Sequence, residues 1–164
     1  MIRWVADTGP LLHLSEAGAS PLIRLLGEIV LPPAVHEELE RFGSAASSIP
    51  MLPVVPLSAA ANNAAEDWCK AGLVQRGEAQ AIALLRQIEA DCLLTDDAAA
   101  RLLATSLGLR ARGSLGIILW LTGQRRLNAV EAAGYLDRLA ATSLWVSPRI
   151  MTEARAALKQ IASR

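Results

Sequence analysis

The stretch IRWVADTGP, residues 2–10, is a short apolar run that stops at a carboxylate and then turns. A run of this length bounded by Gly and Pro predicts a buried β-strand, because it is too short for a helix and ends in turn-forming residues. Asp7 therefore lies where a strand ends. In open parallel sheets ligands bind outside the carboxyl ends of the strands, so Asp7 is a candidate functional group.

Length and composition favour a single domain. The chain has 164 residues, of which 52% are hydrophobic, and it shows no internal repeat and no polar low-complexity tract. This is enough apolar material for a sizeable core, and we expect one domain over residues 1–164.

The net charge of the chain does not indicate a binding partner. Sixteen basic and sixteen acidic residues cancel, so nucleic acid or a membrane would have to be met by a local patch. Fourteen of the basic residues are Arg, which favours bidentate contacts to phosphate or carboxylate, although a high genomic G+C content explains the same bias. No apolar run approaches the roughly 20 residues that span a bilayer, and Cys69 and Cys92 form no C-x-x-C motif. We expect a soluble, cytoplasmic protein.

Short apolar runs alternate with helical patterns along the rest of the chain. Strands are predicted over residues 28–31, 92–95 and 109–112, and a loop with a short extended piece at 54–55 is predicted over 43–58. Helices are predicted over residues 11–18, 22–26, 34–42, 59–71, 77–89, 98–107, 115–123, 128–141 and 148–162. This alternation predicts an α/β fold with a mostly parallel, twisted central sheet and helices on both faces.

The helix over residues 34–42 carries two adjacent acids that its apolar positions distinguish. Val35, Leu39 and Phe42 define the buried stripe of this helix. At 100° per residue, Glu38 falls on the flank of that stripe and Glu37 points nearly opposite. We therefore expect Glu38 to face inward and Glu37 to face solvent.

Further acids occupy element ends. Glu78 lies in the first turn of its helix, in line with Ile82 and Leu85, and so faces inward. Asp96 and Asp97 follow a short apolar run, as Asp7 does. Each acid also has an ordinary explanation, since a carboxylate at a helix start caps the helix or meets its dipole favourably.

Taken together, the acids predict a metal site. Right-handed crossovers bring the ends of parallel strands to one edge, where several carboxylates would repel one another. A divalent cation relieves that repulsion, and an oxygen-only ligand set selects Mg²⁺ or Mn²⁺. Ser114 fits either a helix N-cap or a hydroxyl beside a phosphate. His13 and His36 are given no role.

Five blocks of the sequence stand out, namely VADTGPL at 5–11, LPPAVHEEL at 31–39, GEAQAIAL at 77–84, LLTDD at 93–97 and GSLG at 113–116. Together these blocks resemble one known family, the PIN domain, and within it the prokaryotic subgroup of predicted nucleic-acid-binding proteins related to the VapC toxins. The resemblance covers roughly residues 1–125 in family order, and residues 126–164 carry none of the blocks, so we expect these to form a C-terminal helical extension packed on the domain.

The resemblance implies a PIN-like three-layer α/β/α sandwich and a Mg²⁺- or Mn²⁺-dependent endoribonuclease, the toxin of a toxin–antitoxin pair. The acidic site that it implies consists of Asp7, Glu38, Glu78, Asp96 and Asp97, with Thr8 and Ser114 beside it. All of these acids except Glu38 are implied metal ligands. The subgroup pattern favours Asp96 and the VapC spacing favours Asp97, and Glu78 stands where VapC relatives usually have Asp.

The implied partners are RNA, a cognate antitoxin protein and a second copy of the chain, with no membrane. RNA would be held by arginines flanking the acidic site, namely Arg101, Arg110, Arg112, Arg125 and Arg126, of which Arg101 and Arg112 are the foremost candidates. Base stacking as a reader of RNA sequence has little support, because the chain has one Phe, one Tyr and no aromatic–basic interleaving. Trp120, Trp145 and the helix from Pro148 would supply either a dimer or antitoxin surface or part of the core.

Two other function classes compete with a nuclease. A PIN-like module could bind RNA or a protein partner without cutting, and its acids would then be a weak ion site. Phosphoaspartate chemistry fits poorly, because Lys70 and Lys159 are badly placed for a receiver domain and Gly9 stands where a dehalogenase-type phosphatase has an acid.

Overall fold

The computed structural model describes Met1–Arg164 and is an α/β fold with a four-stranded parallel sheet. The strands are β1 (Arg3–Ala6), β2 (Glu28–Val30), β3 (Cys92–Leu94) and β4 (Ala111–Arg112), in the order β2-β1-β3-β4. The helices are α1 (Thr8–Glu16), α2 (Ser20–Leu25), α3 (Pro33–Phe42), α4 (Ala59–Lys70), α5 (Arg76–Gln87), α6 (Ala98–Ser106), α7 (Ser114–Gly123), α8 (Ala129–Ala140) and α9 (Pro148–Ala162). The predicted fold class is confirmed.

Side chains of the central strand β1 alternate between the two faces of the sheet. Trp4 and Ala6 belong to a core cluster on one face, whereas Val5 belongs to a second cluster on the other. This is the period of two that a strand imposes on its side chains. Because all three residues are fully buried, the sheet must be covered on both faces, which gives the three layers of an α/β/α sandwich.

The first face is covered by α1, α2 and α7 and by the C-terminal helices. Trp4 donates its indole N–H to the carbonyl of Leu26 and packs edge-on against Trp120, with ring centroids 5.4 Å apart. Leu136 of α8 and Leu158 of α9 belong to the same core cluster as Trp4. The partly buried Trp120 and the apolar side of α9 therefore pack with the core, whereas Trp145 is exposed.

The second face is covered by α5 and α6. Val5, Val30 and Leu93 pack there with Ile82 and Leu85 of α5. The Ala-rich helix α4 packs on the outer side of α5, where small side chains allow two helices to lie close together. This packing fixes the start of α5 beside the edge of the sheet where β1 and β3 end.

Helix α7 is apolar on every side, with Ile117, Ile118 and Leu121 fully buried. A helix of this kind must be covered all round, and α7 is packed between the sheet and the pair α8 and α9. No helix in the structure combines the length and apolar character that crossing a membrane requires.

The start of two helices differs from the prediction. Helix α1 begins at Thr8 rather than Leu11, because the Asp7 carboxylate accepts a hydrogen bond from the Thr8 N–H and caps the helix directly after the strand. Helix α2 begins at Ser20 rather than Leu22, with Ala19 at its N-cap position, and the Ser20 hydroxyl bonds Ser48.

The loop over residues 43–58 forms one helical turn and one bridge to the residue that follows β2. A 3-10 turn occupies Gly43–Ala46. The predicted extended piece is present, since Val54 forms a parallel bridge with Leu31 directly after β2.

Candidate functional site

The strands β1 and β3 end side by side and bring their terminal polar residues together. Ala6 pairs with Leu94 in the parallel ladder, and the Asp7 N–H donates to the Leu94 carbonyl at 2.9 Å. The Thr95 hydroxyl then donates to Oδ2 of Asp7 at 3.1 Å. The two apolar runs that stop at acids therefore end at one edge of the sheet, as the sequence predicts.

A cavity of about 300 Å³ lies at this edge, and all five predicted acids line it. They reach it from four places: the ends of β1 and β3, helix α3 and the first turn of α5. The lining consists of Asp7, Thr8, Gly9, His13, Glu38, Glu78, Asp96, Asp97, Ser143, Leu144 and Trp145. Five carboxylates and no Lys or Arg make this the acidic pocket of the protein.

Asp7 is the most buried of the acids, with 4% of its surface exposed. Burial raises the pKa of Asp7 to about 7, and the nearby negative charge of Glu78 raises it further, while hydrogen bonds from Thr8 and Thr95 oppose the shift. A buried carboxylate facing other carboxylates is an electrostatic cost that a cation in the pocket would remove.

Glu38 projects from α3 into the pocket and accepts a hydrogen bond from the Thr8 hydroxyl. Its neighbour Glu37 lies on the outer side of the helix, where it pairs with Arg76 at 2.9 Å. The predicted orientations of both acids are confirmed. The backbone of Gly77 lies so close to the Glu38 carboxylate that a Cβ there would stand 2.7 Å from Oε1.

Glu78 combines the inward direction with a capping role. Its Oε2 accepts the backbone N–H of Gln75 at 2.9 Å, which completes a capping box at the start of α5. Burial raises the pKa of Glu78, and the negative charges of Asp97 and Glu38 add to this effect against the Gln75 hydrogen bond. Glu78 therefore lines the pocket and also caps helix α5, so the functional and the structural explanation of this residue both hold.

Asp96 has hydrogen-bond donors on both carboxylate oxygens. Oδ1 accepts the Ser114 N–H at 2.7 Å, and Oδ2 lies 2.7 Å from Nδ1 of His13 and also accepts the Ser114 hydroxyl. Burial alone would raise the pKa of Asp96, but these bonds outweigh it and hold the pKa below its ordinary value.

Two sequence interpretations are corrected around Asp96. Ser114 is not an N-cap, since Gly113 holds that position and the Ser114 hydroxyl turns to Asp96. His13, for which the sequence predicts no part in the site, lies in the pocket against the Asp96 carboxylate.

Asp97 lies next to Asp96 in the sequence, but its side chain is the N-cap of helix α6. Its Oδ1 accepts the Ala100 N–H at 2.7 Å and caps α6, and its own N–H donates to the Thr95 hydroxyl at 3.2 Å. Asp97 is exposed, whereas the Asp96 side chain is 8% exposed. Both acids line the pocket, so either could reach a bound ion.

The chemistry of the pocket fits a hard divalent cation. Its donors are carboxylate and hydroxyl oxygens, and the buried charge of Asp7 has no cationic partner. The acids are nevertheless not gathered into a ready-made metal site, since no three Asp, Glu, His or Cys side chains form a group that could hold an ion. Helix caps and the His13 and Ser114 bonds hold several of the oxygens.

Some predicted residues lie outside the pocket, and some pocket residues were not predicted. Arg101 and Arg112 are exposed, and neither lines the pocket. Gly77 packs against Glu38 without lining the pocket, and its signal in the sequence is that a residue without a side chain directly precedes Glu78. The segment Ser143–Trp145, which also lines the pocket, carries no local sequence signal that links it to the acids.

Comparison with known proteins places the chain in a family. A protein-family model described as a PIN domain matches residues 3–160 and so includes the last two helices, which none of the five blocks covers. No curated protein matches the chain. PIN domains are generally nucleases that act on nucleic acid and typically use divalent metals, which supports a nuclease-type enzyme in general terms. With nearly its whole length matched, the chain belongs to the PIN domain family.

Proposed function

We propose that this protein is a Mg²⁺- or Mn²⁺-dependent endoribonuclease. The observation that carries the proposal is the convergence of five acidic side chains on one cavity at the carboxyl ends of parallel strands. A buried Asp7 whose pKa is raised to about 7 supports it, because a folded protein tolerates such a cost where the charge is used.

The residues that would hold the metal are Asp7, Glu78 and the pair Asp96 and Asp97. When bound, a divalent ion in such a site polarises a phosphodiester oxygen, lowers the pKa of a water and stabilises the leaving oxyanion. Asp7 supplies the buried charge, and Glu78 and Asp97 each keep one oxygen outside their capping bonds.

The remaining pocket residues position these ligands. The Thr8 hydroxyl donates to Glu38 and so fixes this carboxylate at the side of the pocket. There Glu38 can orient a water molecule by accepting a hydrogen bond from it. His13 and Ser114 hold Asp96 in its ionised form. The Thr95 hydroxyl holds Asp7 in place.

The test is cleavage of RNA by the purified protein with added Mn²⁺, compared with the same reaction in a chelator. Asp7→Asn and Glu38→Gln are expected to lower the cleavage rate by at least about 100-fold. Glu37→Gln is the matched control, since it changes the adjacent acid of the same helix, which lies outside the pocket and pairs with Arg76. Cleavage that survives Asp7→Asn would contradict the proposal.

A manganese soak with anomalous diffraction would locate the ion and decide between Asp96 and Asp97. We expect Asp97 to be the ligand, because its Oδ2 accepts no hydrogen bond, whereas both oxygens of Asp96 already face donors from His13 and Ser114. An ion far from Asp7 would contradict the assignment of this pocket.

The biological role that we propose is that of a cytoplasmic toxin with a cognate antitoxin protein, acting as a homodimer. Support for this role comes from the resemblance of the five sequence blocks to VapC-related proteins. Growth arrest on expression, relieved by the product of a neighbouring gene, would test the toxin role. Sedimentation as a monomer at high concentration would contradict the dimer.

One observation favours a second candidate function, a module that binds RNA without cutting it. No three acidic side chains form a group that could hold an ion, and Asp96 is already satisfied by His13 and Ser114. RNA binding with no cleavage at any Mn²⁺ concentration would favour this alternative.

A further inference from the structure

Trp145 is an exposed aromatic residue at the acidic pocket. It belongs to the segment between α8 and α9, has 82% of its surface exposed and lines the same cavity as the five carboxylates. Trp4, by contrast, is fully buried in the core. The indole of Trp145 therefore makes little contribution to packing.

The segment that carries Trp145 is fixed to helix α1. Ser143 donates its N–H to one oxygen of Glu16 at 2.8 Å and its hydroxyl to the other at 2.7 Å. On the other side of Trp145, Ser147 caps the start of α9. Trp145 is thus held beside the pocket between two anchored residues.

The charge of the pocket limits how a polynucleotide could be held there. All of the ionised groups that line it, apart from His13 when protonated, are negative, and no Lys or Arg contributes to the lining. Phosphates near the pocket would be repelled except where a cation is bound. A contact that carries no net charge is therefore the way to hold a nucleotide next to the acids.

A flat indole provides such a contact. Nucleobases stack on aromatic side chains with little dependence on sequence, because every base has a π face. Leu144 and Val146 on either side of Trp145 are partly buried, so the exposed indole stands beside the polar Ser143 and the carboxylates of the pocket, which suits a nucleobase better than an apolar protein surface.

We propose that the indole of Trp145 stacks on an unpaired base of single-stranded RNA and so holds the adjacent phosphodiester bond at the acidic pocket. This inference rests on the proposed function and adds to it a substrate-binding residue outside the acidic ligand set. Stacking of this kind tolerates every base, so it agrees with the expectation that the chain does not read RNA sequence by stacking.

The test is the affinity of a fluorescein-labelled, mixed-sequence, eight-nucleotide single-stranded RNA for the full chain. Measurements are made with Mn²⁺ in a Glu38→Gln background, which keeps the four proposed metal ligands while RNA cleavage is expected to be slow. Trp145→Ala is expected to weaken binding about 5-fold to 100-fold, and Trp145→Phe to weaken it less than about 3-fold. Val130→Ala is the matched control, because Val130 is 83% exposed and does not line the pocket.

A second measurement reports stacking directly. Oligonucleotides with one abasic position are compared with the intact one for the protein with and without Trp145→Ala. We expect one abasic position to weaken binding as much as Trp145→Ala does, and the two changes together to weaken it no further. Additive losses at every position would overturn the proposal, as would an unchanged affinity of the Trp145→Ala variant.

The two proposals can fail separately. Trp145-dependent binding by a protein that cleaves no RNA would sustain base stacking and refute the nuclease. Normal cleavage by a Trp145→Ala variant whose affinity and KM are unchanged would sustain the nuclease and refute base stacking. Unchanged RNA affinity with loss of self-association in sedimentation would also refute stacking, and would assign Trp145 to a contact between two copies of the chain.

Discussion

The backbone of Gly77 lies directly against the carboxylate of Glu38. A Cβ added at Gly77 would stand 2.7 Å from Oε1 and 3.0 Å from Oε2 of Glu38, both closer than carbon and oxygen normally approach. Gly77 therefore leaves the space that the Glu38 carboxylate occupies at the start of helix α5, directly before the inward-facing Glu78.

Gly77→Ala is expected to damage the site and leave the fold intact. The added methyl group displaces the flexible end of Glu38 and breaks its bond with Thr8, while alanine gains up to about 1 kcal/mol over glycine in a helix. We predict RNA cleavage lowered at least 10-fold, with a melting temperature equal to or above that of the wild type. Gly134→Ala, within α8 and away from the pocket, is the control expected to keep full activity. A melting temperature far below the wild type would contradict this prediction.

The positions of the acids could be predicted from the sequence because local patterns determine them. Asp7 follows an apolar run that can only be a buried strand, and the sheet then places it beside Thr95. The choice of Glu38 over Glu37 follows from helical periodicity, since the buried stripe of α3 fixes the direction of both.

The surroundings of the acids could not be predicted, because distant parts of the chain supply them. His13 and Ser114 meet at Asp96 only when α1, β3 and α7 are packed, and no local pattern links the three residues. The same holds for Trp145, which reaches the pocket in a segment that is bonded through Ser143 to Glu16 of α1. The amphipathic pattern of α9 likewise predicts that one side of this helix is buried, but it does not identify the surface on which that side packs.

Asp7→Asn is expected to stabilise the metal-free protein, and more so as pH rises. The native state keeps the Asp7 proton up to a pKa of about 7, whereas the ordinary value for this group is 3.8, so the native state binds more protons between these values. The contribution of Asp7 to the free energy of unfolding therefore falls as pH rises through this window. Asn lacks this cost, which for a shift of about three pKa units reaches about 4 kcal/mol above pH 7.

The measurement is urea unfolding in a chelator at pH 5 and pH 8. We expect the advantage of Asp7→Asn over the wild type to be larger at pH 8, and added Mn²⁺ to raise the melting temperature of the wild type more than that of the variant. Glu37→Gln is the control expected to show neither effect. An equal advantage at both pH values would refute the raised pKa of Asp7.

Ser114→Ala is expected to destabilise the protein at neutral pH and less in acid. The variant loses one hydrogen bond to the buried, ionised Asp96, at a cost of about 2 kcal/mol. Because the native pKa of Asp96 is lowered, its contribution to stability is present above the ordinary pKa and is lost as pH falls through the native pKa. Urea unfolding at pH 7 and near pH 3 measures the difference. Ser20→Ala is the control, since Ser20 is also buried but bonds the neutral Ser48, so its penalty should not depend on pH.

Ser143→Ala is expected to loosen the segment that holds Trp145 with little effect on global stability. The hydrogen bonds from Ser143 hold the pKa of Glu16 below its ordinary value, and removing the hydroxyl leaves only the backbone donor. The pKa of Glu16, followed by NMR titration, should therefore rise toward its ordinary value.

Chymotrypsin provides an independent readout of the same change, because Trp145 is an exposed aromatic residue at which it can cut. We expect cleavage after Trp145 to become several-fold faster in Ser143→Ala, while the free energy of unfolding changes by less than about 0.5 kcal/mol, as is usual for surface substitutions. Ser106→Ala, which removes an exposed hydroxyl at the end of α6, should leave both readouts unchanged. If Ser143→Ala leaves the rate of cleavage unchanged, Glu16 does not hold Trp145 at the pocket. The RNA affinity of Ser143→Ala should then equal that of the wild type, whereas a segment held by Glu16 predicts an affinity between those of the wild type and Trp145→Ala.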